Sequence, residues 1–377
     1  MGLRRFVVRV VLPTVGLCAL VFFSAVPVSC QISEQGIALW ERDLTAPVIA
    51  SWRVTGSDSL EVVFSEAVTM TGAVICSAEN SSDAPAAADE TYVPSLVQMA
   101  TRTDTIPAQI DEHNERIVIT SAVPLETGAN YRVYGETADA CGNTLTFSLP
   151  FIGYNDHPPE LVIVAVHPQY ATGQRKGQKV YRNEFVGLYA VTGGNLAGIQ
   201  IESAHDGAEQ SFLLPAVDVR QGMFITVHLR TKGDDCISET PDELAAARQE
   251  YASDTALDFW SENEKARLGD DTDVIAIRNS LTGALVDVFA YAPQGLESWQ
   301  KESFQAVMNE AMAAGLVAET SPTAAVPSDG LTPSKMFART DGAAIAAGRA
   351  RELAAAQWTI VPVIERNGTK NLGRFLK

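Results

Sequence analysis

The first side chains that could take part in chemistry are the carboxylates of two short acidic tracts. Asp234 and Asp235 form one of them, and Asp270, Asp271 and Asp273 belong to the other. Clustered carboxylates on a loop offer the oxygen ligands that Ca²⁺ prefers. The second tract lacks the regular spacing and the distant Glu of an EF-hand loop, so a solvated turn is the favoured interpretation. Asp270, Asp271 and Asp273 are therefore only weak calcium candidates, and no firm metal site is predicted.

The histidines do not form a recognisable catalytic or metal-binding pattern. None belongs to an HExxH or HxH motif, and no two are separated by four positions. The five are His113, His157, His167, His205 and His228. The sequence also contains no GxSxG, P-loop or GxGxxG motif. We therefore predict no catalytic residues and no cofactor, and we expect the chain not to be an enzyme.

The chain opens with a basic and then apolar segment. Three arginines stand among the first nine residues, an apolar stretch covers 6–28, and Ser29 and Cys30 follow. This order is typical of a secretory signal over residues 1–29. The end of the segment, from Val28 to Cys30, resembles a bacterial lipobox, although Pro27 stands where Leu is usual. The resemblance implies cleavage before Cys30 and a lipid on its sulfur; conventional secretion and a retained membrane helix are the alternatives.

The three cysteines beyond this segment are Cys76, Cys141 and Cys236. All three interpretations of the N-terminus export them to a compartment where disulfides persist, so two of the three are expected to pair. Cys76 follows one predicted strand and Cys141 lies in a turn before another. We predict a Cys76–Cys141 bridge, worth about 3–4 kcal/mol in the chain-entropy account. No CxxC or His/Cys cluster indicates structural zinc.

The charge and length of the chain limit the functions and the domain organisation it can have. The 377 residues carry 28 basic and 46 acidic side chains, a formal charge of -18. Residues 1–29 contain three arginines and no acid, so the exported part is still more acidic. Nucleic-acid binders gain affinity from Lys and Arg on phosphates, so no nucleic-acid partner is expected. The length allows two domains with separate cores.

After a spacer over 30–44, short β-branched or aromatic runs at 60–64, 73–76, 116–120 and 131–135 predict the strands of a first β-sandwich over 45–150. Four segments in this region resemble bacterial Ig-like domains of envelope and S-layer proteins. They are TAPVI at 45–49, LEVVFSEAV at 60–68, LETGANY at 125–131 and DACGNTL at 139–145. The resemblance implies a spacer or presentation module without catalysis. Asp139 is interpreted as a turn residue, with metal binding as the alternative.

A second sandwich is predicted over 158–377, because short apolar runs, such as 161–166 and 274–277, are again joined by Gly, Asn and Asp turns. The order of its motifs resembles the lamin tail domain. The matching segments are 183–189, 195–201, 211–215, 222–227, 273–277, 283–291 and 334–337, with Arg339, Asp341 and Trp358. Gly187, Ile199 and the Tyr189–Ala190 pair depart from the pattern. The predicted fold is therefore mainly β, with two tandem Ig-like β-sandwiches.

Two helical insertions are predicted in the second sandwich. Thr240, Pro241 and Glu243 have the residue types of a capping box with Pro at the first helical position, which predicts a helix within 240–268. The apolar side chains of 304–312 recur at helical spacing and Gly315 follows, which predicts a second helix within 296–315.

Two functions compete at this point. The first is a non-enzymatic cell-envelope lipoprotein, held at the membrane by its N-terminal lipid and presenting a surface to an unidentified protein or envelope ligand. The second is an exported metal-dependent phosphoesterase or nuclease accessory protein, because lamin tail modules in bacteria are often appended to such enzymes. Both halves of the chain are occupied by non-catalytic modules, which favours the first function.

Overall fold

A computed structural model describes residues 43–77, 99, 105–205, 211–265, 268–346 and 354–372. The predicted signal peptide over 1–29 and the predicted lipidation site at Cys30 lie outside these residues. The structure is mainly β, as the sequence predicts. No helix within the described ranges is long and apolar enough to span a membrane.

The first unit is one seven-stranded antiparallel sheet that folds over on itself. Its order is β1-β2-β5-β4-β3-β6-β7, so β1 and β7 are its two edges. The strands are β1 (Ile49–Val54), β2 (Ser59–Phe64), β3 (Thr69–Ser77), β4 (Thr105–His113), β5 (Arg116–Ser121), β6 (Asn130–Ala138) and β7 (Thr144–Ile152). Along β6 every second residue is buried, and two of these residues, Tyr131 and Val133, share a core with Leu60, Phe64 and Ile119.

The second unit contains a six-stranded sheet, a five-stranded sheet and two small two-stranded sheets. The six-stranded order is β17-β16-β11-β8-β21-β22 and the five-stranded order is β14-β13-β18-β19-β20, while β9 pairs with β10 and β12 with β15. The strands are β8 (Leu161–His167), β9 (Ala171–Arg175), β10 (Gln178–Arg182), β11 (Phe185–Ala190), β12 (Gly194–Asn195), β13 (Ile199–Ser203), β14 (Phe212–Leu213), β15 (Asp218–Val219), β16 (Phe224–His228), β17 (Leu257–Trp260), β18 (Asp273–Asn279), β19 (Leu285–Ala292), β20 (Val326–Pro327), β21 (Lys335–Arg339) and β22 (Trp358–Pro362).

The six-stranded sheet is covered on both faces. Every residue of β8, β11 and β16 is buried. One face packs against the five-stranded sheet in a common core that includes Ile163, Leu188 and Phe289. The other face carries separate apolar clusters, one of which joins Phe185 and Tyr251. Chain segments outside the sandwich therefore form a third layer over this sheet.

One of the two predicted insertions is helical. Helix α1 (Glu302–Ala313) lies inside the predicted range 296–315 and begins six residues after its start. It buries Phe304, Met308 and Ala311 against the main core. Gly315, with φ of +73°, follows the helix as expected for a left-handed cap. A short helix α2 spans Gly342–Ala346, and single 3₁₀ turns occur at Pro322–Ala324 and Ala355–Gln357.

The predicted helix within 240–268 is wrong. The described residues of this range form turns followed by strand β17, which pairs in parallel with β16. The Glu239 carboxylate accepts hydrogen bonds from the backbone N–H groups of Ala247 and Asp258, at 3.0 Å each. Ser253 Oγ accepts two more, from Thr255 and Ala256. These side chains accept hydrogen bonds from backbone N–H groups that would bond to backbone carbonyls in a helix. The tertiary hydrogen bonds therefore outweigh the local helix-start pattern.

The two units meet closely around the end of β7. Asn155 Nδ2 donates to the carbonyl oxygens of Asn195 and Ala197, at 2.7 and 2.8 Å. At Gly128, which has φ of +74°, an added Cβ would lie 2.5 Å from Ala216 Cβ. The close approach therefore requires a glycine at this position of the first unit.

Candidate functional site

An open groove lies between edge strands β1 and β7 of the first sheet and is bordered by the loop between β18 and β19 of the second unit. We call it the seam groove; its volume is about 540 Å³. Its apolar lining consists of Trp52, Val54, Tyr131, Pro150, Phe151, Ile152 and Leu281, and its polar lining of Arg53, Asn130, Arg132 and Ser280. Trp52 is 38% exposed, whereas the Tyr131 and Phe151 rings stack on each other in the core, with centroids 5.6 Å apart.

The charged side chains of the seam groove are arginines. Arg53 and Arg116 both contact the Glu61 carboxylate, at 2.9 and 3.3 Å, so two cations share one anion. Arg132 donates to the hydroxyl of Ser148 at 2.9 Å. Among the described residues, the lining contains no histidine, cysteine or carboxylate. The groove can hold a ligand, but this lining supplies neither a general base nor a metal ligand.

The residues best suited to acid–base chemistry lie in the interior of the second unit. His228 Nε2 and Asp258 Oδ1 are 3.0 Å apart, and neither side chain has solvent exposure. The Trp260 ring stacks on the imidazole with centroids 3.6 Å apart. Asp258 also accepts a hydrogen bond from the backbone N–H of Ser253 at 2.7 Å. A substrate cannot reach this pair without displacing the layer that covers it.

The electrostatics of the buried pair favour uncharged side chains. Burial lowers the pKa of His228 to about 3, and it raises the pKa of Asp258 to about 8. Burial likewise lowers the pKa of His167 to about 4; its two ring nitrogens lie near the carbonyl oxygens of Asn183 and Pro333. At neutral pH these histidines are neutral, and their contacts join strands to covering loops.

The predicted calcium ligands do not converge on one point. Asp270 and Asp271 are exposed, whereas Asp273 is buried. Asp273 Oδ2 accepts hydrogen bonds from Ser203 Oγ and the backbone N–H of Gly269, at 2.6 and 3.0 Å. Burial raises the pKa of Asp273 to about 6. The Asp273 carboxylate therefore fixes the start of β18, and the three side chains do not share a calcium site in this structure.

A different set of carboxylates meets in the first unit. Oxygens of Asp43, Glu66 and Asp139 lie within 4.8 Å of one another. Asp139 Oδ1 accepts from the backbone N–H groups of Cys141 and Asn143, at 2.8 Å each, which is the turn role expected from the sequence. Burial of the Asp139 carboxylate raises its pKa, but hydrogen bonds to the ionised form outweigh this effect and hold the pKa below its usual value. Burial and the two neighbouring carboxylates raise the pKa of Glu66.

The predicted Cys76–Cys141 bridge does not fit the register of the first sheet. Cys76 of β3 lies opposite Arg132 of β6, whereas Cys141 follows Ala138 at the other end of the same ladder. Six residues of β6 separate these two points, a distance of about 20 Å at the usual strand rise. Disulfide geometry requires Cα atoms closer than about 7 Å. Cys236 lies apart in the second unit, where burial raises the pKa of its thiol to about 11.

Sequence reasoning did not identify the seam groove. Its residues come from β1, β6, β7 and a hairpin loop near position 280, and they share no spacing along the chain. The one local signal is Trp52, a large aromatic residue in a strand whose neighbours Ser51 and Arg53 are exposed. Only the folding over of the sheet, which sets β1 beside β7, brings the other side chains to it.

Comparison with known proteins finds a relative for about half of the chain. A protein of Treponema pallidum (strain Nichols), described as uncharacterized, is 29% identical over 185 residues, which cover 49% of this chain and 44% of that protein. The chain thus matches less than half the length of this relative.

Two solved structures show weak likeness. The N-terminal part of the bacterial S-layer protein SbsC has 11% identity, covers 39% of this chain and 41% of that chain, and gives a TM-score of 0.22. A DUF4876 family protein from Bacteroides thetaiotaomicron VPI-5482 has 12% identity, covers 69% and 90%, and gives a TM-score of 0.27.

The family comparison covers the second unit. A family model described as TP_1001_2nd, protein second domain, matches residues 159–360, from just before β8 into β22 and just over half of the chain. The chain therefore belongs to the TP_1001_2nd protein second domain family.

Proposed function

We propose that this chain is a non-enzymatic cell-envelope lipoprotein that is anchored through Cys30 and presents a ligand-binding surface outside the cytoplasm. The anchor is supported by the order of basic, apolar and small residues before Cys30. The Ig-like resemblance of 45–150 and the lamin tail resemblance of 158–377 belong to the same proposal. Both modules serve as scaffolds that present surfaces.

The observation that carries the proposal is that, among the described residues, no histidine, cysteine or carboxylate lines the seam groove, and the exposed Asp111–His113 pair is not part of it. The seam groove is open to solvent and lined by aromatic, aliphatic and arginine side chains. The His228–Asp258 pair is fully buried, and the Asp258 carboxylate also accepts a backbone hydrogen bond. An active site needs an ionisable group where a substrate can reach it. This arrangement supports binding rather than catalysis.

Metabolic labelling with palmitate tests the anchor. The wild-type chain should incorporate label and fractionate with membranes, and Cys30→Ala should lose the label. Cys18→Ala is the matched control, because it removes a cysteine from the apolar segment and leaves Cys30 in place. Equal labelling of wild type and Cys30→Ala, or an unlabelled wild type, would refute lipidation at this residue.

A further inference from the structure

We propose that the seam groove binds a small amphipathic organic anion, with an apolar body against Trp52 and Leu281 and its charged group near Arg132. The inference rests on the proposed function as a binding module, and it adds the chemical class of the ligand. Nothing in it requires the lipid anchor.

The apolar half of the site is already formed. Phe151 and Tyr131 are 5% and 8% exposed and supply a stacked aromatic floor, while Trp52 keeps 38% of its surface in water. Leu281 approaches from the second unit and narrows the groove. A volume of about 540 Å³ lies within the range of roughly 300–1,000 Å³ that is usual for small-molecule pockets, which often form where two domains meet.

The charge of the groove is opposite to that of the whole chain. The chain carries a net charge of -18, yet the charged residues that line the groove are Arg53 and Arg132. Arg53 and Arg116 share the single Glu61 carboxylate. Within the described residues, Arg132 has a hydroxyl partner and no carboxylate within salt-bridge distance. This local excess of positive charge matches an anion and fits Arg–carboxylate or Arg–phosphate recognition.

The two strand edges beside the groove disfavour an added peptide strand. Pro150 lies on β7 and has no backbone N–H to offer to a new strand. On the opposite edge, the pairing of β1 shifts register between Ile49 and Ser51. Main-chain addition needs a regular run of donors and acceptors, so a compact ligand suits this site better than an extended peptide.

Fluorescence titration of the full chain with two probes tests the proposal. Anilinonaphthalene sulfonate is an amphipathic anion, and phenylnaphthylamine has the same ring system without the sulfonate. We expect saturable one-to-one binding of the anionic probe and weaker binding of the neutral probe. The apolar segment over 6–28 is common to every variant, so differences between variants isolate the groove.

Variants separate the two halves of the site. Arg132→Gln should weaken the anionic probe about tenfold and leave the neutral probe unchanged, because it removes only the charged contact. Trp52→Ala should weaken both probes. Leu281→Asp should weaken the anionic probe most, since it adds a repulsive charge and removes an apolar wall. The matched controls are Arg220→Gln and Leu213→Asp, which make the same changes at exposed positions of the second unit.

Near-UV circular dichroism of each variant must match that of wild type, so that lost binding reflects the site rather than unfolding. The proposal fails if the anionic probe does not saturate, or if Arg132→Gln affects both probes equally. It also fails if Leu281→Asp and Leu213→Asp give the same titration curve. The palmitate experiment is independent of these outcomes, so failure of the ligand class and failure of the anchor can be told apart.

Discussion

The two β units use their polar residues differently. In the first, β6 alternates between buried and more exposed positions along its whole length, and the Asp111–His113 pair lies on the surface. In the second, β8 and β11 are buried throughout, and the His228–Asp258 pair has no solvent exposure. The Asp–His distance is 3.0 Å in both pairs. Depth, rather than the Asp–His distance, therefore distinguishes the two pairs, and most of the lining of the seam groove belongs to the unit whose Asp–His pair is exposed.

The largest expected effect comes from breaking the buried pair. Asp258→Ala leaves two buried polar groups, the His228 imidazole and the Ser253 N–H, without their partner, so it should lower the free energy of unfolding by about 4 kcal/mol. Asp111→Ala is the matched control, since it removes the same side chain from an exposed Asp–His pair. Urea denaturation should show a large shift for the first variant and none for the second. Equal shifts would mean that depth does not distinguish the pairs.

A pH effect of up to about 4 kcal/mol, similar in size, is expected at Asp287. Burial raises its pKa to about 7 from an unfolded value near 4, so the folded chain holds this proton more tightly. Wild-type stability contributed by this group is therefore fully present below pH 4 and is lost as the pH rises to about 7. Asp287→Asn mimics the protonated side chain and can still accept from the Ile163 N–H.

Thermal unfolding of both proteins from pH 4 to 8 measures this difference. The advantage of Asp287→Asn over wild type should grow through this interval and level off above pH 7. A constant difference between the two curves would show that the Asp287 carboxyl does not titrate as its burial requires.

The junction between the units should have a smaller effect. Asn155→Ala removes two hydrogen bonds to the carbonyls of Asn195 and Ala197 and should cost about 2 kcal/mol. Asp156→Ala, at the exposed neighbouring residue, is the control. Calorimetry should resolve two unfolding transitions more clearly in Asn155→Ala than in wild type. A single unchanged transition would argue that other contacts dominate the coupling.

The smallest effect is expected at Thr240, where sequence and structure disagree. A helix N-cap would lose about 1 kcal/mol on conversion to Ala, but Thr240 is exposed in a turn, so Thr240→Ala should leave the melting temperature unchanged. Ser253→Ala should be destabilising instead, because Ser253 Oγ holds the Thr255 and Ala256 N–H groups. A destabilising Thr240→Ala together with a neutral Ser253→Ala would instead support the helix predicted from the sequence.

Much of the first unit could be predicted from the sequence because its signals are local. The runs 60–64, 116–120 and 131–135 all lie within observed strands, and Asp139 forms the expected turn. In the second unit, the apolar runs identified strands such as β8 and β18, and helical spacing identified α1. The 240–268 segment was mistaken because its local capping signature is weaker than the buried acceptors of Glu239 and Asp258.

The candidate site could not be predicted from local signals, because its residues are far apart in the sequence. Nothing in the spacing of Trp52, Arg132, Phe151 and Leu281 links them, because their proximity depends on sheet order and on the position of the second unit. Asp273 and Asp270 are near neighbours in sequence, yet one is buried and the other exposed.

The sequence by itself determined the apolar and turn pattern of a mainly β protein, its acidity, and the basic and then apolar N-terminal segment from which export is proposed. These properties depend on residues close together in the chain. Tertiary structure decided which ionisable groups are buried, where Cys76 and Cys141 lie along the β3–β6 ladder, and that two arginines and an aromatic floor share one groove. Such relations arise from strand register and from packing between distant segments, and burial then sets the charge state of each group.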